Sequence, residues 1–149
     1  VSNKPDPNSP KSVLLYAPEV VRKMSPRKFK SGGCGADGWK VDIVPDTIWG
    51  LNIRNSCRVH DAMYGFGIDE SGLRGSEENK AHCDRVFLNN LLREINFADS
   101  WGWLKALRRR RAKTYYWAVV NYGGPAYWEG KNKNASYNVN PLPVPKEEK

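Results

Sequence analysis

With 149 residues and 24 Lys/Arg against 16 Asp/Glu, the chain carries a net charge of +8 and suits one domain that can bury a core without metal or disulfide staples. Three cysteines cannot all pair within one chain, which excludes a disulfide-dense scaffold; one bridge plus a thiol suits an exported protein, three thiols a cytosolic one. No run approaches the ~20 apolar residues that span a bilayer, no signal-peptide pattern opens the sequence, and the basic excess suits nucleic acid and anionic lipid equally.

Residues 1–12, with Pro5, Pro7 and Pro10 among polar side chains, read as a tail. The stretch 13–24 predicts a short helix with Ser12 as cap and Pro18 as a kink or restart. Residues 31–38 form the most glycine-rich segment of the chain. Such a loop can aim N–H groups at phosphate or C=O groups at a hard cation, or it can be a plain tight turn. The Lys and Ser/Thr of a phosphate-binding P-loop do not follow it, which weakens the phosphate reading.

Residues 39–44 alternate apolar and polar side chains and predict a strand or extended arm, followed by a turn signal at Pro45-Asp46. From 51 to 66, Ile53, Cys57, His60 and Tyr64 recur at helical spacing, and Gly65 and Gly67 mark the end. A glycine-marked loop leads to Ser76, the expected cap of an acidic helix start at Glu77 and Glu78. That helix runs to about 97 with Ala81, Phe87, Leu88, Leu91 and Ile95 as its stripe, and Asp84 falls on the same stripe. An unpaired buried carboxylate costs several kcal/mol, so Asp84 needs a partner. Residues 101–122 predict a third long helix carrying the arginine run 108–111, closed by Gly123-Gly124-Pro125. The Asn-, Lys- and Pro-rich stretch 130–149 reads as a surface-hugging or disordered tail.

His60 and Asp61 are consecutive, so on a helix their side chains diverge by about 100° and take separate tasks. The imidazole needs another acid to set its tautomer and stabilise its protonated form. Asp84 on the next helix is the candidate, with Tyr64, one turn after His60, donating to the same acid. Asp61 is left for a cation held with loop carbonyls. A base, an orienting acid and a cation site point to ester hydrolysis by an activated water.

These residues also resemble a family. Cys57-x-x-His60-Asp61-x-x-Tyr64 is similar to the C-x-x-H-D-x-C-Y signature of calcium-dependent secreted phospholipases A2, and Cys83-Asp84 resembles the Cys-Asp of their second catalytic helix. Lys80-x-x-x-Asp84-x-x-Phe87 is nearer the compact bacterial and fungal branch, and Gly33-Cys34-Gly35-x-x-Gly38 resembles the calcium loop. The match covers roughly residues 32–97. It implies His60 as general base, Asp84 as its orienting acid and Tyr64 as the support of Asp84. It further implies Ca2+ held by Asp61 with Gly33, Gly35 and Asp37, where Asp37 stands at an expected glycine. The family's second signature cysteine is Met63 here. The resemblance therefore implies a Cys34–Cys57 disulfide and leaves Cys83 as a thiol.

The expected fold is mainly α: two antiparallel catalytic helices, a preceding Gly-rich calcium loop and an additional C-terminal helix, in one domain over 13–129. The expected function is calcium-dependent hydrolysis of the sn-2 ester of glycerophospholipids at an anionic membrane surface. A secreted, delivered or virion-associated setting suits it better than a resident cytosolic one. The alternative is a catalytically inactive binding module that contacts nucleic acid or anionic membrane through the run 108–111 with Tyr115, Tyr116 and Trp117.

Overall fold

The computed structural model describes residues 14–23, 27, 44–65, 75–129 and 144–148, with backbone only at 19 and 20. It is mainly helical with one small two-stranded sheet. The short helix α1 (Glu19–Arg22) begins at Pro18, whose carbonyl accepts hydrogen bonds from the Val21 and Arg22 amides at 3.0 Å each. Pro18 therefore restarts the chain, and the helix expected from residue 13 forms only after it. Arg22 secures the entry by donating to the Leu15 and Ala17 carbonyls, both at 2.9 Å.

Strands β1 (Thr47–Ile48) and β2 (Leu51–Asn52) pair antiparallel, Thr47 opposite Asn52 and Ile48 opposite Leu51. The intervening Trp49 and Gly50 have φ of 44° and 80°. Positive φ at both central residues is the two-residue hairpin turn whose twist matches its strands. This hairpin replaces the first turn of the helix expected from 51. Helix α2 (Arg54–Gly65) starts later, where the Asn52 side chain accepts from the Arg54 amide at 2.9 Å.

Helix α3 (Glu77–Phe97) has the expected cap: Ser76 is extended, and its hydroxyl accepts from the Asn79 amide at 3.0 Å. It is the central element and is buried on most of its circumference; Ala81, expected on the core stripe, is only half-buried. Helix α2 packs on one side, and helix α4 (Gly102–Tyr122) on another. Two cross-links order α2 against α3: Ser56 meets Glu94 at 3.0 Å, and His60 meets Asp84 at 2.8 Å. As residue numbers rise on one helix they fall on the other, so the pair is antiparallel as expected.

Consecutive asparagines on α3 hold two flanking segments. Asn90 exchanges hydrogen bonds with the Tyr16 backbone at 2.8 and 2.9 Å. Asn89 does the same with the Lys146 carbonyl and the Glu148 amide, both at 2.9 Å. Residues 144–148 thus form a strap on α3; residues 130–143 and 149 of the expected tail lie outside the described residues.

The chain does not end its helical course at Gly123-Gly124-Pro125. Pro125 lies in the first turn of a further short helix, α5 (Gly124–Trp128), where its missing N–H costs nothing. Tyr127 on α5 is fully buried. Cys57 is disulfide-bonded and Cys83 is a buried thiol, as expected for those two residues; Cys34 lies outside the described residues.

Candidate active site

Ile53, Cys57, His60 and Tyr64 follow one another at three- and four-residue intervals and are all buried, so α2 turns this face onto α3. His60 Nε2 lies 2.8 Å from Asp84 Oδ1, and each side chain is only 1% exposed. The Tyr64 hydroxyl donates to the same Asp84 oxygen. Three residues singled out from sequence are thereby brought together. Phe87, one turn beyond Asp84, stacks obliquely on the imidazole with ring centres 4.7 Å apart, and Tyr64 does so at 4.2 Å. The ring is held on both its hydrogen-bonding and its apolar surfaces.

Lys80 completes the arrangement and was not among the expected site residues. Its Nζ donates to Asp84 Oδ2 at 2.8 Å and to the Val119 and Val120 carbonyls of α4 at 3.0 and 3.2 Å. The residue is buried. Its sequence signal is its place four residues before Asp84, one helical turn away on the same face. Tyr127 adds an outer layer: its ring meets Tyr64 edge-on at 5.0 Å, and its hydroxyl accepts from Asn79 Nδ2 at 2.8 Å.

Burial holds the His60 imidazole below its ordinary value, against the hydrogen bond and charge of Asp84, and the Lys80 cation lowers it further. Burial opposes ionisation of Asp84 as well, but the hydrogen bond to His60 and the Lys80 cation outweigh it and hold Asp84 below the usual carboxylate range. Burial and the Asp84 charge push Tyr64 far above the ordinary phenol value, so it remains a donor. The resting pair is then a neutral imidazole beside a carboxylate. An ionised carboxylate only accepts, so Nε2 carries the hydrogen and the basic lone pair sits on Nδ1.

Asp61 is half-buried beside His60 on α2. Gly33, Gly35 and Asp37, the other expected calcium ligands, lie outside the described residues. Among the described residues, no three His, Cys, Asp or Glu side chains form a metal cluster. Asp61 offers the hard oxygen that calcium prefers, but one carboxylate falls short of the six to eight oxygens the ion typically takes. The described residues thus offer one hard oxygen donor of the kind calcium takes and no more.

The arginine run does not present one face to solvent. Arg108 is buried and donates to the Trp49 carbonyl at 2.9 Å, while Arg111 lies 5.6 Å from the centre of the Trp49 ring. Tyr115 is buried and donates to the Thr47 carbonyl at 2.9 Å. Tyr116 packs against Arg85 at 5.3 Å. Much of the surface expected to meet nucleic acid thus serves to hold the hairpin and α3. A scan of family models and searches of curated proteins and of solved structures return no match to this chain.

Proposed function

We propose that this protein is a phospholipase A2-like hydrolase that cleaves the sn-2 ester of glycerophospholipids with calcium. The observation that carries the reading is the buried His60–Asp84 contact at 2.8 Å, with Nε2 engaged, Asp84 held ionised by His60 and Lys80, and Tyr64 donating to the same carboxylate. A bound water on the Nδ1 side loses its proton to His60 as it attacks the ester carbonyl. The imidazolium that forms is stabilised by Asp84, which accepts no proton itself, and His60 then returns the proton to the leaving alcohol. Calcium, held by Asp61 with the 31–38 loop, would supply positive charge to the developing oxyanion. Resemblance of the His60-Asp61 and Cys83-Asp84 stretches to the phospholipase signature supports the same reading.

The test is fatty-acid release from phospholipid vesicles, with calcium and then with a chelator. Release is expected to depend on calcium and to fall by roughly 10²–10⁴-fold in His60→Gln, in keeping with loss of a general base. Turnover indifferent to the chelator would sink the calcium mechanism, and turnover retained in His60→Gln would remove His60 as the base.

A further inference from the structure

Helix α4 contains Lys105, the arginine run 108–111 and Lys113, and no acid at all. Its inward face is occupied by Arg108, Ala112, Tyr115 and Val119, all buried. On the opposite face Trp103, Ala106, Arg110, Lys113, Trp117 and Val120 follow at alternating intervals of three and four residues and are all exposed. That interval is one stripe of an α-helix.

The stripe is ordered by chemistry. At its start Trp103 is 60% exposed and meets the exposed Trp101 edge-on with ring centres 5.9 Å apart. Near its end Trp117 is 55% exposed and meets the exposed Tyr122 in the same way at 5.5 Å. Arg110 and Lys113 lie between these aromatic pairs, Lys113 in a loose contact with Glu147 at 3.6 Å.

We infer that the outer face of α4 is a docking surface for an anionic lipid bilayer, with the helix lying parallel to the membrane. The two aromatic pairs sit at the headgroup level, and Arg110 and Lys113 meet lipid phosphates between them. Aromatic rings with a polar edge favour that boundary, and cations gain from the negative surface potential. No described helix is long and apolar enough to cross a membrane, so the contact is along the surface. Single-stranded nucleic acid fits the stripe less well. Trp103 and Trp117 are fourteen residues apart, about 21 Å along the helix, too far for stacking neighbouring bases, and Tyr115 is turned inward.

The helix that carries this surface also touches the proposed catalytic site from its other side, because Lys80 bridges Asp84 to the Val119 and Val120 carbonyls near the end of α4. The inference names the partner of that site and rests on the hydrolase reading only for its purpose, since docking needs no chemistry. Binding is therefore measured on the full chain carrying His60→Gln, by co-sedimentation with vesicles of phosphatidylcholine alone or mixed with phosphatidylglycerol.

The mixed vesicles are expected to bind the protein, with a blue shift of tryptophan emission, and phosphatidylcholine alone to bind it far less. Adding Trp103→Ser and Trp117→Ser should abolish the shift and most of the binding. Arg110→Gln should weaken binding roughly fivefold, the equivalent of ~1 kcal/mol per surface cation. These side chains are exposed, and unchanged circular dichroism and melting check that the fold is kept. Undiminished binding by the double Trp variant would overturn the inference. So would equal binding to both vesicle types, or binding to a single-stranded oligonucleotide with none to vesicles. A His60→Gln protein that binds, from a parent that does not hydrolyse, leaves the surface and removes the hydrolase; the reverse pattern does the opposite.

Discussion

Asp84 is the group on which the candidate site converges, met by three side chains from two helices. His60 meets one oxygen from α2, Tyr64 meets the same oxygen, and Lys80 meets the other from within α3. With His60 neutral, Lys80 supplies the charge that keeps Asp84 ionised in a buried setting. Replacing it by Lys80→Met strands that carboxylate. The expected cost is ~3–5 kcal/mol, as for breaking other buried pairs, read as a lower urea midpoint with an unchanged slope. Lys80 also helps hold the imidazole below its ordinary value. The acid limb of kcat/KM in the parent is therefore expected below the ordinary imidazole value of about 6.5, and the limb of Lys80→Met at higher pH than the parent's. A variant matching the parent in both stability and pH profile would remove Lys80 from this role.

At the scale of elements, α3 acts as the frame on which other segments are hung. Its Arg85, Asn89 and Arg93 lie four residues apart on one face and meet successive groups of the extended strap: the Pro145 carbonyl, the backbone at 146 and 148, and the Glu148 carboxylate. The Arg93–Glu148 contact is two-pronged, with Nε at 2.9 Å and Nη2 at 2.5 Å, yet both side chains are 34% exposed. Solvent screening leaves such a pair at most ~1 kcal/mol. The Asn89 amide, which satisfies one backbone donor and one acceptor, is the more specific hook. Asn89→Ala is expected to free the strap while moving global stability by only ~1–2 kcal/mol. Hydrogen exchange checks this: the Glu148 amide should lose protection while the amides of α2 and α3 keep theirs. Persistent protection of Glu148 would show that Asn89 does not hold the strap.

For the whole molecule, the pH dependence of stability turns on a second buried acid. Glu94 accepts a hydrogen bond from Ser56 at 3.0 Å, ten residues beyond Asp84 on α3. Burial pushes its carboxyl up to about 7, against the opposing effect of that bond. The folded protein therefore holds this proton more tightly than the unfolded chain does. Its stabilising share is full below about 4.5, declines as the pH rises and is lost above about 7. Glu94→Gln keeps an acceptor for Ser56 and removes the ionisation. Relative to the parent it should be more stable by ~3 kcal/mol above neutrality, with the advantage vanishing near pH ~4. Denaturant unfolding across that range decides it; an equal gain at both ends would mean that Glu94 does not titrate on unfolding.

How far these features were legible in the sequence differs from one to the next. The α3 boundaries followed from Ser76 and the apolar period, because a cap and a repeat are local properties of the chain. His60, Tyr64 and Asp84 could be singled out because a polar residue on a buried stripe must be satisfied somewhere. Trp49-Gly50 concealed its hairpin, since a tryptophan at positive φ carries no turn signal of its own and is held by Arg108, 59 residues away. The arginine run likewise read as one charged patch, although a helix sends consecutive residues in different directions and packing decides which are buried. By itself, then, the sequence determined the three longer helices, the acid that had to be paired and the histidine available to pair with it. Only the tertiary structure decided that Lys80 shares that acid and that Arg108 leaves the surface. It also decided that a strap closes over α3, because each of these depends on contacts between segments far apart in the chain.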